Sequence, residues 1–71
     1  MNIYIISGYF MAWDVRVQRI VLKHSIMQIE SSDREAAERK WVERVKEDKS
    51  AASIKIADVF GPFQKVAEVV A

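Results

Sequence analysis

Ser31-Ser32-Asp33-Arg34-Glu35-Ala36-Ala37-Glu38-Arg39 decides the fold of this chain, because it opens a charged helix directly after a long β-rich run. Ser32 and Glu35 have the spacing of a capping box, in which the serine hydroxyl accepts from the backbone N–H three residues on and the glutamate reaches back. That spacing starts the helix at Asp33. Ala37, Trp41 and Val45 then recur every four residues, with Val42 widening the stripe, so one face docks on a sheet with Trp41 as its anchor. Glu35 and Arg39 are placed for an i,i+4 ion pair, and the other charges alternate in sign around a solvated outer face. Lys46-Glu47-Asp48-Lys49-Ser50 ends the helix without a glycine and leaves lysines near the negative end of its dipole.

On the N-terminal side, Asn2 to Met11 is β-branched and aromatic, with Ile3, Ile5, Tyr9 and Met11 alternating against Tyr4, Ile6, Gly8 and Phe10. Both faces are apolar, which marks a central strand, and Gly8 within it signals a bend or a close backbone approach. Ala12-Trp13-Asp14 is the polar break and reads as a tight hairpin connection. Val15 to Ile29 is the second β run, with Val15, Val17 and Val21 on one parity and Ile20, Leu22 and Ile26 on the other. The buried parity changes along it, which predicts a bulge near Lys23-His24-Ser25, the first half pairing with strand one and the second half with another neighbour.

Beyond the helix, Ala52 to Phe60 alternates as a third strand that Gly61-Pro62 stops. Phe63 to Ala71 suits either a short helix, with Pro62 at its first position, or a strand; the register of Phe63, Val66 and Val70 favours the helix. The expected fold is therefore α+β over one domain, residues 1 to 71, in the order ββαβ. It is a three-stranded antiparallel sheet with one helix packed on one face and a short C-terminal helix or strand. One helix leaves the other sheet face open although strand one is apolar on both, and this, with the Val-rich tail, predicts a homodimer or a docked protein partner.

Composition narrows the function classes. A chain of 71 residues that is 51% hydrophobic and 30% charged has the make-up of a small globular domain. It has no cysteine, which excludes disulfides and thiolate zinc sites and points to a reducing cytoplasm. The apolar start Met1-Asn2-Ile3-Tyr4-Ile5-Ile6-Ser7 lacks the basic segment and apolar length of a signal peptide or membrane span and reads as a strand. Eleven basic and ten acidic residues give a net charge of +1, so no global field draws the chain to nucleic acid or anionic lipid.

Catalytic chemistry is not legible. His24 is the single histidine, and none of the serines lies in a nucleophile elbow or a Ser-x-x-Lys arrangement, so no catalytic residue is assigned and no enzyme is expected. The helix acids at 33, 35, 38, 43, 47 and 48 are interleaved with bases, which gives no metal site, and no cofactor motif is present. Arg16, Arg19, Lys23 and His24 form one basic cluster near Trp13, Tyr4, Tyr9 and Phe10. Basic groups beside exposed rings suit nucleic acid, although the RNA-recognition strand signature is absent; the plainer reading is an edge strand whose charges oppose aggregation. Trp13 at a hairpin tip and Phe63 after Pro62 are the aromatic residues best placed for outside contact. The candidate partner-binding residues are thus Trp13, Arg16, Arg19, Lys23 and Phe63.

In overall arrangement, residues 2 to 60 resemble small phage and mobile-element proteins, some type I anti-CRISPR proteins among them: a cysteine-free chain running strand, strand, capped Ser-x-x-Glu-Ala-Ala helix, strand. That resemblance implies a non-enzymatic inhibitor that blocks a host defence complex by occupying its protein- or nucleic-acid-binding surface. The near-neutral charge departs from the strongly acidic DNA mimics among such inhibitors and favours steric blocking. The alternative is a small nucleic-acid-binding domain using Arg16, Arg19 and Lys23 with Tyr4 or Tyr9.

Overall fold

The β-branched run at the N-terminus becomes β1 (Asn2–Asp14), and a four-residue turn returns the chain into β2 (Arg19–Ser31). The capped segment becomes α1 (Arg34–Val45), and β3 (Ala52–Gln64) follows it. The computed structural model describes residues 1–64. The strands form one antiparallel sheet in the order β2-β1-β3, so β1 is central, as its two apolar faces require.

The hairpin turn sits three residues later than the polar break at Ala12-Trp13-Asp14. Asp14 Oδ1 accepts from the backbone N–H groups of Arg16 and Val17 at 2.8 and 3.3 Å, and Gln18 N–H donates to the Asp14 carbonyl at 2.8 Å. Gln18 takes a left-handed φ of 52° to close the loop. This local chemistry places Val15 and Val17 in the turn despite their β propensity. The expected bulge near Lys23 is absent: β1 and β2 pair without a shift from Asn2↔Ser31 to Asp14↔Arg19, and β2 keeps β1 as its neighbour throughout. The irregularity lies on the other side of β1, where β3 inserts an extra residue at each of three register shifts. One of these contains Gly61, whose φ of +122° is open to glycine and strained for other residues. Gly61-Pro62, a cis peptide, is therefore absorbed as a bulge in an edge strand and does not stop it. Phe63 and Gln64 belong to β3, so no helix begins there; the rest of the expected tail helix lies outside the described residues.

The helix cap also differs by one residue. Asp33 is the N-cap, its Oδ1 accepting from Ala36 N–H at 2.8 Å, because an anionic acceptor at the positive end of the helix dipole outcompetes the Ser32 hydroxyl. The i,i+4 ion pair that forms is Arg34–Glu38 at 3.5 Å, in place of Glu35 with Arg39. The apolar stripe is as expected: Ala37, Trp41 and Val45 are buried and pack with Tyr4, Ile6 and Ile29. Gly8 makes the close approach possible. A Cβ there would overlap the Lys55 carbonyl and stand 2.5 Å from Trp41 Cη2, so the indole lies directly on the β1 backbone.

Candidate functional site: the open face of the sheet

Partners directly opposite in an antiparallel sheet share a face, so the registers divide the residues between two sides. Tyr4, Ile6, Gly8, Phe10 and Ala12 of β1 share the helix side with Ile29, Met27, Ser25, Lys23 and Val21 of β2. Ile3, Ile5, Ser7, Tyr9, Met11 and Trp13 face the other way with Glu30, Gln28, Ile26, His24, Leu22 and Ile20. On β3, Phe63, Phe60, Asp58 and Lys55 complete that second side. No element among the described residues covers it.

The open side is strongly apolar. Tyr9, Trp13, Ile20, Leu22, Ile26, Phe60 and Phe63 all stand on it with exposures from 44% at Tyr9 to 65% at Leu22. Solvated sheet faces ordinarily alternate to polar residues, and large contiguous apolar patches mark contact surfaces. Near its centre Ser7 is only 8% exposed, while Tyr9 beside it is 44% exposed and stacks on His24 with ring centroids 4.8 Å apart.

The five candidate contact residues do not form one patch. Trp13 and Phe63 are both on the open face but at opposite ends, ten residues of β1 apart, which is about 33 Å. Arg16 is exposed in the turn. Arg19 and Lys23 share the helix side with Asp14 and Phe10, because the pleat sends alternate residues to opposite faces. Lys23 is also engaged, its Nζ donating to the Trp13 carbonyl at 3.3 Å. The Trp13 N–H donates to Ser50 Oγ at 2.8 Å, and Ser50 Oγ donates in turn to Asp48 Oδ1 at 2.6 Å. These bonds tie the connection after α1 to the hairpin. The Ser50 hydroxyl, then its backbone N–H, with a smaller contribution from the Lys23 charge, hold the Asp48 carboxyl below the usual aspartate range. Tyr4, the other ring considered for base stacking, is buried under the helix.

Sequence reasoning missed Tyr9, Ile20, Leu22, Ile26 and Phe60 as one surface. The signal was present in Ile20, Leu22 and Ile26, which keep one parity; a straight β2 turns that parity into a face. His24, also on this face, stacks on Tyr9, and no carboxylate hydrogen-bonds to it among the described residues. No group of three potential metal ligands occurs among the described residues, and no helix there is long and apolar enough to cross a membrane. A depression of about 450 Å³ over the outer surface of α1 is lined by Glu35, Glu38, Arg39, Val42, Glu43 and Lys46, a mixture of charges with no convergent chemistry. Comparison with known proteins finds no matching family model, no matching curated protein and no matching solved structure.

Proposed function

We propose that this chain is a non-enzymatic protein-binding module that acts by contact through the open face of its sheet. The observation that carries this is the run of seven large exposed apolar side chains on one side of a folded sheet. Such a surface gains free energy by leaving water and gives little direction to a small polar ligand. Its finer form, taken from the resemblance of residues 2 to 60 to small phage inhibitors, is steric blocking of a host defence complex. Nucleic-acid binding draws less support, because Lys23 is engaged with Trp13 and sits, with Arg19, on the opposite side of the sheet from Tyr9.

Leu22→Glu and Phe60→Glu test the reading, since both side chains are exposed and neither belongs to the helix-covered core. A protein contact that survives high salt and nuclease treatment with the parent chain, and is lost with both variants, supports it. Retention of that contact by both variants, or recovery of nucleic acid alone at low salt, overturns it.

A further inference from the structure

We infer that the occupant of the open face is a second copy of this chain, packed face to face about a two-fold axis that lies between the two sheets, passes over Gly8 of β1 and runs across the strands at right angles to them. This rests on the contact reading and names a second copy, in place of a host complex, as what that face meets. Three observations support it, the first being area. Three strands of thirteen residues present a face about 14 Å wide and about 40 Å long, roughly 550 Å² in projection, at standard strand spacings. Side-chain relief raises this toward the roughly 800 Å² per partner of a standard stable interface.

Charge is the second. A two-fold interface must be self-complementary, each residue i meeting j while j meets i. Gly8 is the midpoint of β1, so an axis there covers both apolar ends equally. It reverses the strand direction and lays the Tyr9 row of one copy over the Ser7 row of the other. Those rows are His24-Tyr9-Lys55 and Ile26-Ser7-Asp58. Lys55 then faces Asp58 of the second copy, and the symmetry makes the pair twice. Both side chains are exposed, and neither takes part in an ion pair among the described residues.

The third is side-chain size, since the same superposition sets the large Tyr9 over the small Ser7, again twice. Turning the axis along the strands removes both matches, placing Tyr9 on Tyr9, Lys55 against His24 and Asp58 against Ile26. Packed sheets cross at about 30°, which displaces the ends far more than the rows beside the axis, so the register is set by the central pairs. Because β3 is an edge strand, the Lys55–Asp58 pairs sit at the rim, where charges fix register and specificity.

The test uses charge reversal with sedimentation equilibrium. The parent chain is expected at twice its 8.2 kDa mass. Lys55→Glu leaves four acids at the two pair positions and Asp58→Lys leaves four bases, so each variant should dimerise about tenfold more weakly or worse at low salt. Mixing the two variants should restore association as a heterodimer, and the double variant Lys55→Glu/Asp58→Lys should recover the parent affinity. Unchanged circular dichroism and melting of each variant at low concentration show that the fold is intact. A dimer indifferent to all reversals overturns the inference. A monomeric parent whose Tyr9 and Phe60 are freely oxidised in footprinting overturns the second copy and leaves the contact reading standing. A monomer with those residues protected overturns both.

Discussion

The two faces of this sheet are nearly equal in apolar character and opposite in fate. On one, Tyr4, Ile6 and Ile29 lie under Ala37, Trp41 and Val45 and are almost completely removed from water. On the other, Leu22, Ile26 and Phe60 keep more than half their surface. Helix supply makes the difference: α1 has twelve residues, about 18 Å, for strands of thirteen residues, about 40 Å, and there is one such helix among the described residues. Burial on the first face specifies the fold, while the second leaves its large apolar side chains in contact with water among the described residues. The lesson is that an apolar residue in a small domain is a core residue only if some element reaches it.

Truncating a tryptophan on each face should separate the two most widely. Trp41→Ala should cost about 3–5 kcal/mol in urea denaturation, since Trp41 is fully buried, whereas the half-exposed Trp13→Ala should cost about 1 kcal/mol when monomer is compared with monomer. Equal losses would mean that the two faces are not energetically distinct. Adjacent residues of β1 should differ in the same sense. Gly8→Ala should cost about 1–3 kcal/mol, because its methyl group collides with Trp41 and the Lys55 carbonyl, while Ser7→Ala on the other face should be close to neutral in the same melts.

Smaller effects probe what holds the covering element in place. Asp33→Ala should lose about 1 kcal/mol through the missing cap and Ser32→Ala a few tenths; the reverse order in thermal unfolding would return the cap to Ser32. The smallest effect concerns Asp48, which anchors the connection to β3. Its folded carboxyl titrates below the unfolded one, so the stability it contributes is present above the ordinary aspartate range and is lost as pH falls through the depressed folded value. Asp48→Asn should flatten that acid limb, and Ser50→Ala should raise the Asp48 titration followed by NMR.

Much of the architecture was legible because it depends on local pattern. A run apolar on both parities had to be central, and the spacing of Ala37, Trp41 and Val45 had to face a sheet. Gly8 marked a close approach before its partner was visible. The errors came where neighbouring signals competed. Ser32 and Asp33 were both able to cap, and the stronger acceptor won. Val15 and Val17 favoured a strand, but the Asp14 carboxylate organised a turn around them. Gly61-Pro62 looked like a stop, yet an edge strand needs no donor from proline and accommodated it as a bulge. The candidate site was less legible: sequence proximity grouped Trp13, Arg16, Arg19 and Lys23, and the pleat separated them.

The order of elements, the central position of β1 and the anchoring face of α1 follow from the amino-acid pattern, because hydrophobic periodicity and helix-start chemistry act over a few residues. Tertiary structure alone decided which apolar residues are core and which are surface. That division depends on strand register, since one residue of slip would exchange the two faces of β2, and on where a helix shorter than the strands comes to rest. Neither quantity belongs to any single segment of the chain.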